Sequence, residues 1–135
     1  MWTVSLELID VKGTGCIAET MRSQIAVPRP YSVTVASGGM VTIASSSPTF
    51  ACSFSPSMDD SGFTTFGKGG YYTCEPFAVP FRCNDGSEHN ISTFGQNISG
   101  RVTGGEIEGR WSVDWLDVIG WEDGAVVEAR YRGRK

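Results

Sequence analysis

The chain has 135 residues, enough for one domain (residues 1–135) with its own core, and at 40% apolar it is not a disordered segment. Its net charge of −4, from 15 acidic and 11 basic residues, argues against the general basic face that nucleic-acid binding needs. No apolar run approaches the roughly 18 residues of a membrane-crossing helix.

Residues 2–11 alternate Trp2, Val4, Leu6 and Leu8 with Thr3, Ser5 and Glu7, the period of a half-buried strand. Gly13 and Gly15 break it. Residues 16–27 read as the one short helix, with Ile17, Met21 and Ile25 on one face, a Glu19–Arg22 pair, and Pro28 and Pro30 as the stop. Such a helix would cap one end of a barrel. Strands follow over 31–36 and 40–45 around Gly38-Gly39. Ser46-Ser47-Pro48 turns the chain into a strand at 50–55. Residues 56–62 read as loop.

The stretch 63–97 is less legible. Segments 71–74 and 79–83 look like short strands, with Pro76 and Pro80 assigning them to an edge or a bulge. Asn84-Asp85-Gly86 is a turn, and 88–94 reads as another strand. The clearest pattern is 98–132, a three-stranded meander. Alternation is nearly strict from Ile107 to Trp115, with Gly104-Gly105 and Asp123-Gly124 as the turns. The whole reads as all-β, an antiparallel and mostly up-and-down barrel of about eight strands. A β-sandwich is the alternative.

Four cysteines, Cys16, Cys52, Cys74 and Cys83, in a small β chain suggest two disulfides and an oxidising compartment. Three pairings are open. Met1 leads straight into a strand, so the reading is of a periplasmic or secreted chain whose leader has been removed.

Chemistry is harder to find. His89 is the sole histidine, and it stands in a polar stretch that reads as exposed. No GxSxG elbow is present, and no serine is singled out as a nucleophile. Asp59-Asp60 lacks the spacing of a calcium loop. Glu106, Glu108 and Asp114 fall on the polar face of their strand, as solvated acids would. Neither a catalytic residue, a metal site nor a cofactor is expected. Arg130, Arg132, Arg134 and Lys135 crowd the end of the chain, as a solvated strand end or as a contact for an anionic partner. The aromatic load is the more informative signal. Trp2, Trp111, Trp115 and Trp121, with Tyr71 and Tyr72, are a heavy load: Trp2, Trp111 and Trp115 would fill a core, or some of the set would line a cavity.

The run Gly100-x4-Gly105-x3-Gly109-Arg110-Trp111, the Asp123-Gly124 dipeptide and residues 125–130 resemble the last hairpins of small bacterial extracytoplasmic β-barrels of the calycin (lipocalin/avidin-like) group. Trp2 before an apolar strand and a short helix is similar to how such chains open. The resemblance covers about a third of the chain and implies a barrel fold, but carries over no binding residue. The expected function is non-enzymatic binding of a small, partly apolar ligand in the barrel interior or mouth. Trp111, Val113 and Trp115 would form its wall, with Trp2 and Tyr71 as further contacts. The alternative is a protein-binding module, such as a periplasmic enzyme inhibitor or immunity-type protein, making contact through residues 56–70.

Overall fold

The computed structural model describes residues 1–25, 29–46, 49–68, 71–120 and 122–135, with the side chains of Glu122 and Asp123 outside the description. The expected helix end at residues 26–28, the turn at Ser47-Pro48, the loop end at Gly69-Gly70, and Trp121 all lie outside it. Eleven strands and one helix are found among the described residues. Seven strands are long or of ordinary length: β1 (Trp2–Lys12), β2 (Arg29–Val35), β3 (Val41–Ser46), β4 (Thr49–Phe54), β9 (Glu88–Thr103), β10 (Glu106–Asp117) and β11 (Glu122–Arg134). Four are short: β5 (Ser57–Met58), β6 (Gly62–Thr64), β7 (Tyr72–Glu75) and β8 (Val79–Arg82). The helix α1 spans Cys16–Ser23.

Two meanders, β1 to β4 and β9 to β11, join where β1 pairs with β11. The result is one antiparallel sheet of order β5-β6-β9-β10-β11-β1-β2-β3-β4-β7, with β8 on the remaining part of β9. A sheet with one apolar face must cover it. Here it curls on itself, as a barrel does, rather than splitting into two packed layers. The inner face holds Val4, Leu6, Val33, Ile43, Phe54, Ile98, Ile107, Trp111 and Tyr131, all buried. Between β9 and the β4–β7 pair the wall is completed by side chains. Gln96 Nε2 donates to Cys52 Sγ at 3.1 Å and to Cys74 Sγ at 3.0 Å, and Thr93 Oγ1 donates to Tyr72 Oη at 3.3 Å.

Glycines in the resemblance motif have a packing reason. Gly100 and Gly109 face each other across β9 and β10, and Gly109 is also level with Tyr131 of β11. A Cβ on either would come within 2.6 Å of Tyr131 Oη. The pair is therefore a slot for the tyrosine, whose hydroxyl donates to Ser99 O at 2.6 Å.

Several local expectations change. Residues 88–94 and the first strand of the meander are one strand, β9, interrupted by a bulge at Phe94, where Asp114 pairs with Gly95 but Trp115 with Thr93. Asp123-Gly124 is not a turn. The chain reverses at residues 118–120, with Gly120 at φ +85°, and Gly124 forms a bulge in β11. Residues 56–62 are not plain loop but carry β5 and the start of β6, closed by Asp59 Oδ1. That oxygen accepts from Ser61 N, Ser61 Oγ and Gly62 N at 2.8, 2.9 and 2.9 Å. Arg22 does not pair with Glu19. It donates to Val11 O at 3.1 Å and Gly13 O at 2.9 Å, tying α1 to the end of β1.

Candidate functional site

Inside the curl, at the α1 end, the apolar side chains leave a chamber of about 130 Å³. Leu6 and Leu8 of β1, Phe50 of β4, Trp111, Val113 and Trp115 of β10, and Val127 and Ala129 of β11 form its wall. Phe81 and Ile91 enter from β8 and β9. The tryptophans are fixed by their neighbours. Trp111 meets Tyr31 edge-on at 5.6 Å and stacks on Phe50 at 6.4 Å, and Phe50 also touches Trp115 at 5.6 Å. Trp111 Nε1 donates to Gln96 Oε1 at 2.7 Å, while the amide nitrogen of Gln96 caps the Cys52–Cys74 bridge. The indole nitrogen is thus satisfied inside the wall, and the ring offers the chamber an apolar surface.

Helix α1 forms part of the chamber's boundary, as expected of a cap. Its Met21 lines the chamber, as does Gln24 just beyond its last turn. The Cys16–Cys83 disulfide and several hydrogen bonds hold it there. Cys16 is bridged to Cys83 in the turn after β8, and Cys52 to Cys74 across β4 and β7, which settles the pairing that sequence left open. Asn84 N donates to Thr20 Oγ1 at 2.9 Å, Asn84 Nδ2 donates to Ser23 Oγ at 3.3 Å, and Arg22 makes the bonds to Val11 and Gly13.

A second space of about 210 Å³ adjoins the chamber, lined by Arg29, Pro30, Tyr31, Ser45 and Ser46. Arg29, Tyr31 and Ser45 line both. Arg29 donates to Gln24 Oε1. Burial raises the Tyr31 hydroxyl above its ordinary value, against the opposing effects of Arg29 and a bond with Ser45, so it stays protonated at neutral pH. The apolar chamber and this vestibule therefore share a side that carries one guanidinium and two hydroxyls.

Of the residues expected to bind ligand, the structure brings Trp111, Val113 and Trp115 together in the chamber wall. Trp2 and Tyr71 are elsewhere. Trp2 is buried in the core, but it precedes Leu6 by four residues on β1. At about 3.3 Å per residue it lies near the opposite end of the barrel, where Lys135 sits over its ring at 5.2 Å. Tyr71 precedes β7, outside the pairing with β4, and is 77% exposed. Sequence reasoning missed Arg29, Tyr31 and Gln96.

His89 is also not the exposed residue expected. It is half-buried, with Nδ1 at 2.8 Å from Asp117 Oδ2 and Nε2 at 2.9 Å from Ser87 Oγ. These distances imitate a Ser-His-Asp relay. The proton accounting does not. Ser87 Oγ has one proton, and Asp85 Oδ1 lies nearer to it, at 2.6 Å. A carboxylate is the stronger acceptor, so the hydroxyl is turned from the imidazole it would have to serve as nucleophile. The Cys16 sulfur is 3.4 Å from Nε2, and Cys16, Cys83 and His89 would be close enough to share a metal ion. Their sulfurs are joined as a disulfide, however, and are not thiolate ligands. The cluster reads as a tie between the 84–87 turn, the end of β10 and α1.

That tie has a pH signature. The backbone N–H of Ile119, at 2.9 Å, and then His89 hold the Asp117 carboxyl below its ordinary 3.8. A depressed carboxyl contributes stability above its unfolded value and loses it as pH falls through the folded one. Asp117→Asn is therefore expected to lie below wild type in urea midpoint near pH 6. That gap should close as the pH drops below about 4. A gap independent of pH would contradict the assignment.

Arg130, Arg132 and Arg134 at the chain's end lie on the outer face. Arg130 reaches Glu7 at 3.6 Å, Arg134 reaches Glu106 at 3.0 Å, and Arg110 sits over the Phe66 ring at 4.5 Å. No helix among the described residues is long and apolar enough to cross a membrane. No family model, curated protein or solved structure matches the chain.

Proposed function

We propose that this is a non-enzymatic, extracytoplasmic β-barrel that binds a small, partly apolar ligand in its interior. One observation carries the reading: the inner face leaves a partly open apolar chamber whose rim carries Arg29, Tyr31 and Ser45. Protein interiors rarely keep a void much larger than a water molecule without cost. A dry cavity of about 150 Å³ is known to accept benzene, so about 130 Å³ suits roughly one ring or a short branched chain. The two disulfides support a periplasmic or secreted setting.

Calorimetric titration with a neutral single-ring probe, benzyl alcohol, tests the reading. The expected result is saturable one-to-one binding with a negative heat-capacity change. Val113→Phe, which fills the chamber from its wall, should abolish that binding while the far-ultraviolet circular dichroism is kept. Equal binding by a folded Val113→Phe variant would place the probe elsewhere and overturn the reading. The non-enzymatic part has its own test. Ester hydrolysis by the wild type that is lost in Ser87→Ala would overturn it.

A further inference from the structure

We propose that the chamber's ligand carries a carboxylate, held at the mouth by Arg29 with Tyr31 and Ser45. This rests on the reading of the chamber as a binding site and adds the chemistry of the head group.

Charge is the first argument. Arg29 is the only charged residue among those lining the chamber or the vestibule, in a chain whose acidic residues outnumber its basic ones by 15 to 11. It is half-buried, and no acidic side chain lies within ion-pair distance of it among the described residues. A cation taken partly out of water without a counter-charge is costly, and a ligand that brings the anion removes the cost.

Donor count is the second. The guanidinium offers a planar fork of N–H groups, only part of which Gln24 Oε1 can occupy. The Tyr31 and Ser45 hydroxyls line the same space, bonded to one another, so the pair supplements the fork and does not add two free donors. A planar carboxylate accepts two parallel bonds from such a fork, which is the geometry arginine favours.

Shape is the third. The apolar space begins where the donors end, because Arg29, Tyr31 and Ser45 belong to both linings. A ligand with a ring or short chain one or two bonds from its carboxylate would seat both parts at once.

The test compares two near-isosteric probes, phenylacetate and phenylacetamide, by calorimetry on the intact, oxidised protein. The wild type should prefer phenylacetate by about ten- to a hundredfold, as expected for a charge-assisted bond. Arg29→Gln should bind the two probes equally, and Arg29→Lys, which keeps the charge but not the fork, should fall between. Equal affinities in wild type, or preference for the amide, would overturn the inference and leave the chamber reading standing. Binding of neither probe would overturn both. Should Arg29→Gln not fold, the wild-type comparison decides alone, supported by a preference that shrinks as salt is raised.

Discussion

Removing the Cys16–Cys83 bridge, as Cys16→Ala with Cys83→Ala, is expected to lower the unfolding free energy by about 4 kcal/mol. The bridge spans 67 residues, and the entropy withheld from the unfolded chain grows with the logarithm of that span. The shorter Cys52–Cys74 span of 22 residues gives about 3 kcal/mol by the same relation. Against a typical net stability of about 5–15 kcal/mol, either loss is large. The longer bridge also has a local effect. It fixes the first residue of α1 to the turn after β8, and both α1 and β8 supply chamber wall. The variant should therefore also bind the neutral probe more weakly. Urea unfolding of non-reduced samples measures the first effect. A loss below about 1 kcal/mol would mean that the bridge does not restrict the chain as its span implies.

Trp111→Ala is expected to cost about 3–5 kcal/mol, the range for deleting a large buried aromatic. The upper end is favoured because Gln96 Oε1 then loses the indole donor that satisfies it at 2.7 Å. Trp111 is 3% exposed and holds both Tyr31 and Phe50 in place. The same substitution enlarges the chamber, so any folded fraction should shift its preference toward bulkier apolar groups. Trp111→Phe separates the two effects, since it keeps a ring but removes the donor, and its cost should stay near 1–3 kcal/mol (roughly one unsatisfied buried polar group). Equilibrium unfolding in urea reads both variants. A Trp111→Ala cost within about 1 kcal/mol of zero would show that the ring is not part of the core.

The sequence pattern was most legible where one strand has one buried face. Ile107, Trp111 and Val113 alternate with polar neighbours and lie on the inner face of β10, and the Trp2-Val4-Leu6 alternation likewise marks the inner face of β1. It failed where pairing is remote or the alternation slips. The bulge at Phe94 shifts the alternation within β9, so one strand of 16 residues looked like two. The strands β5 to β8 run two to four residues each, too short for a period to show, and β6 pairs with β9 some 35 to 39 residues further along the chain.

The candidate site was half legible for the same reason. Trp111, Val113 and Trp115 share a strand face, so spacing alone groups them. Arg29 stands between Pro28 and Pro30 and read as part of a helix stop. Its place at the chamber mouth comes from the pairing of β2 with β1, which sets Arg29 level with Leu6. Gln96 carries no signal of its own in the sequence. Only the curl of the sheet brings it between Trp111 and a disulfide. Nor could spacing have joined His89 to Asp117, 28 residues away on the next strand.

The central claim is that the chamber, and not the outer surface, receives the ligand. Nuclear magnetic resonance with the tryptophan indole N–H and valine methyl groups observed tests it most directly, with benzyl alcohol as the titrant. Binding in the chamber gives saturable shifts at the Trp111 indole and at the Val113 and Val127 methyls, with little change at Val4 or Val33 farther along the core. Shifts spread over the outer face, or growing without saturation while those three groups stay still, would contradict it.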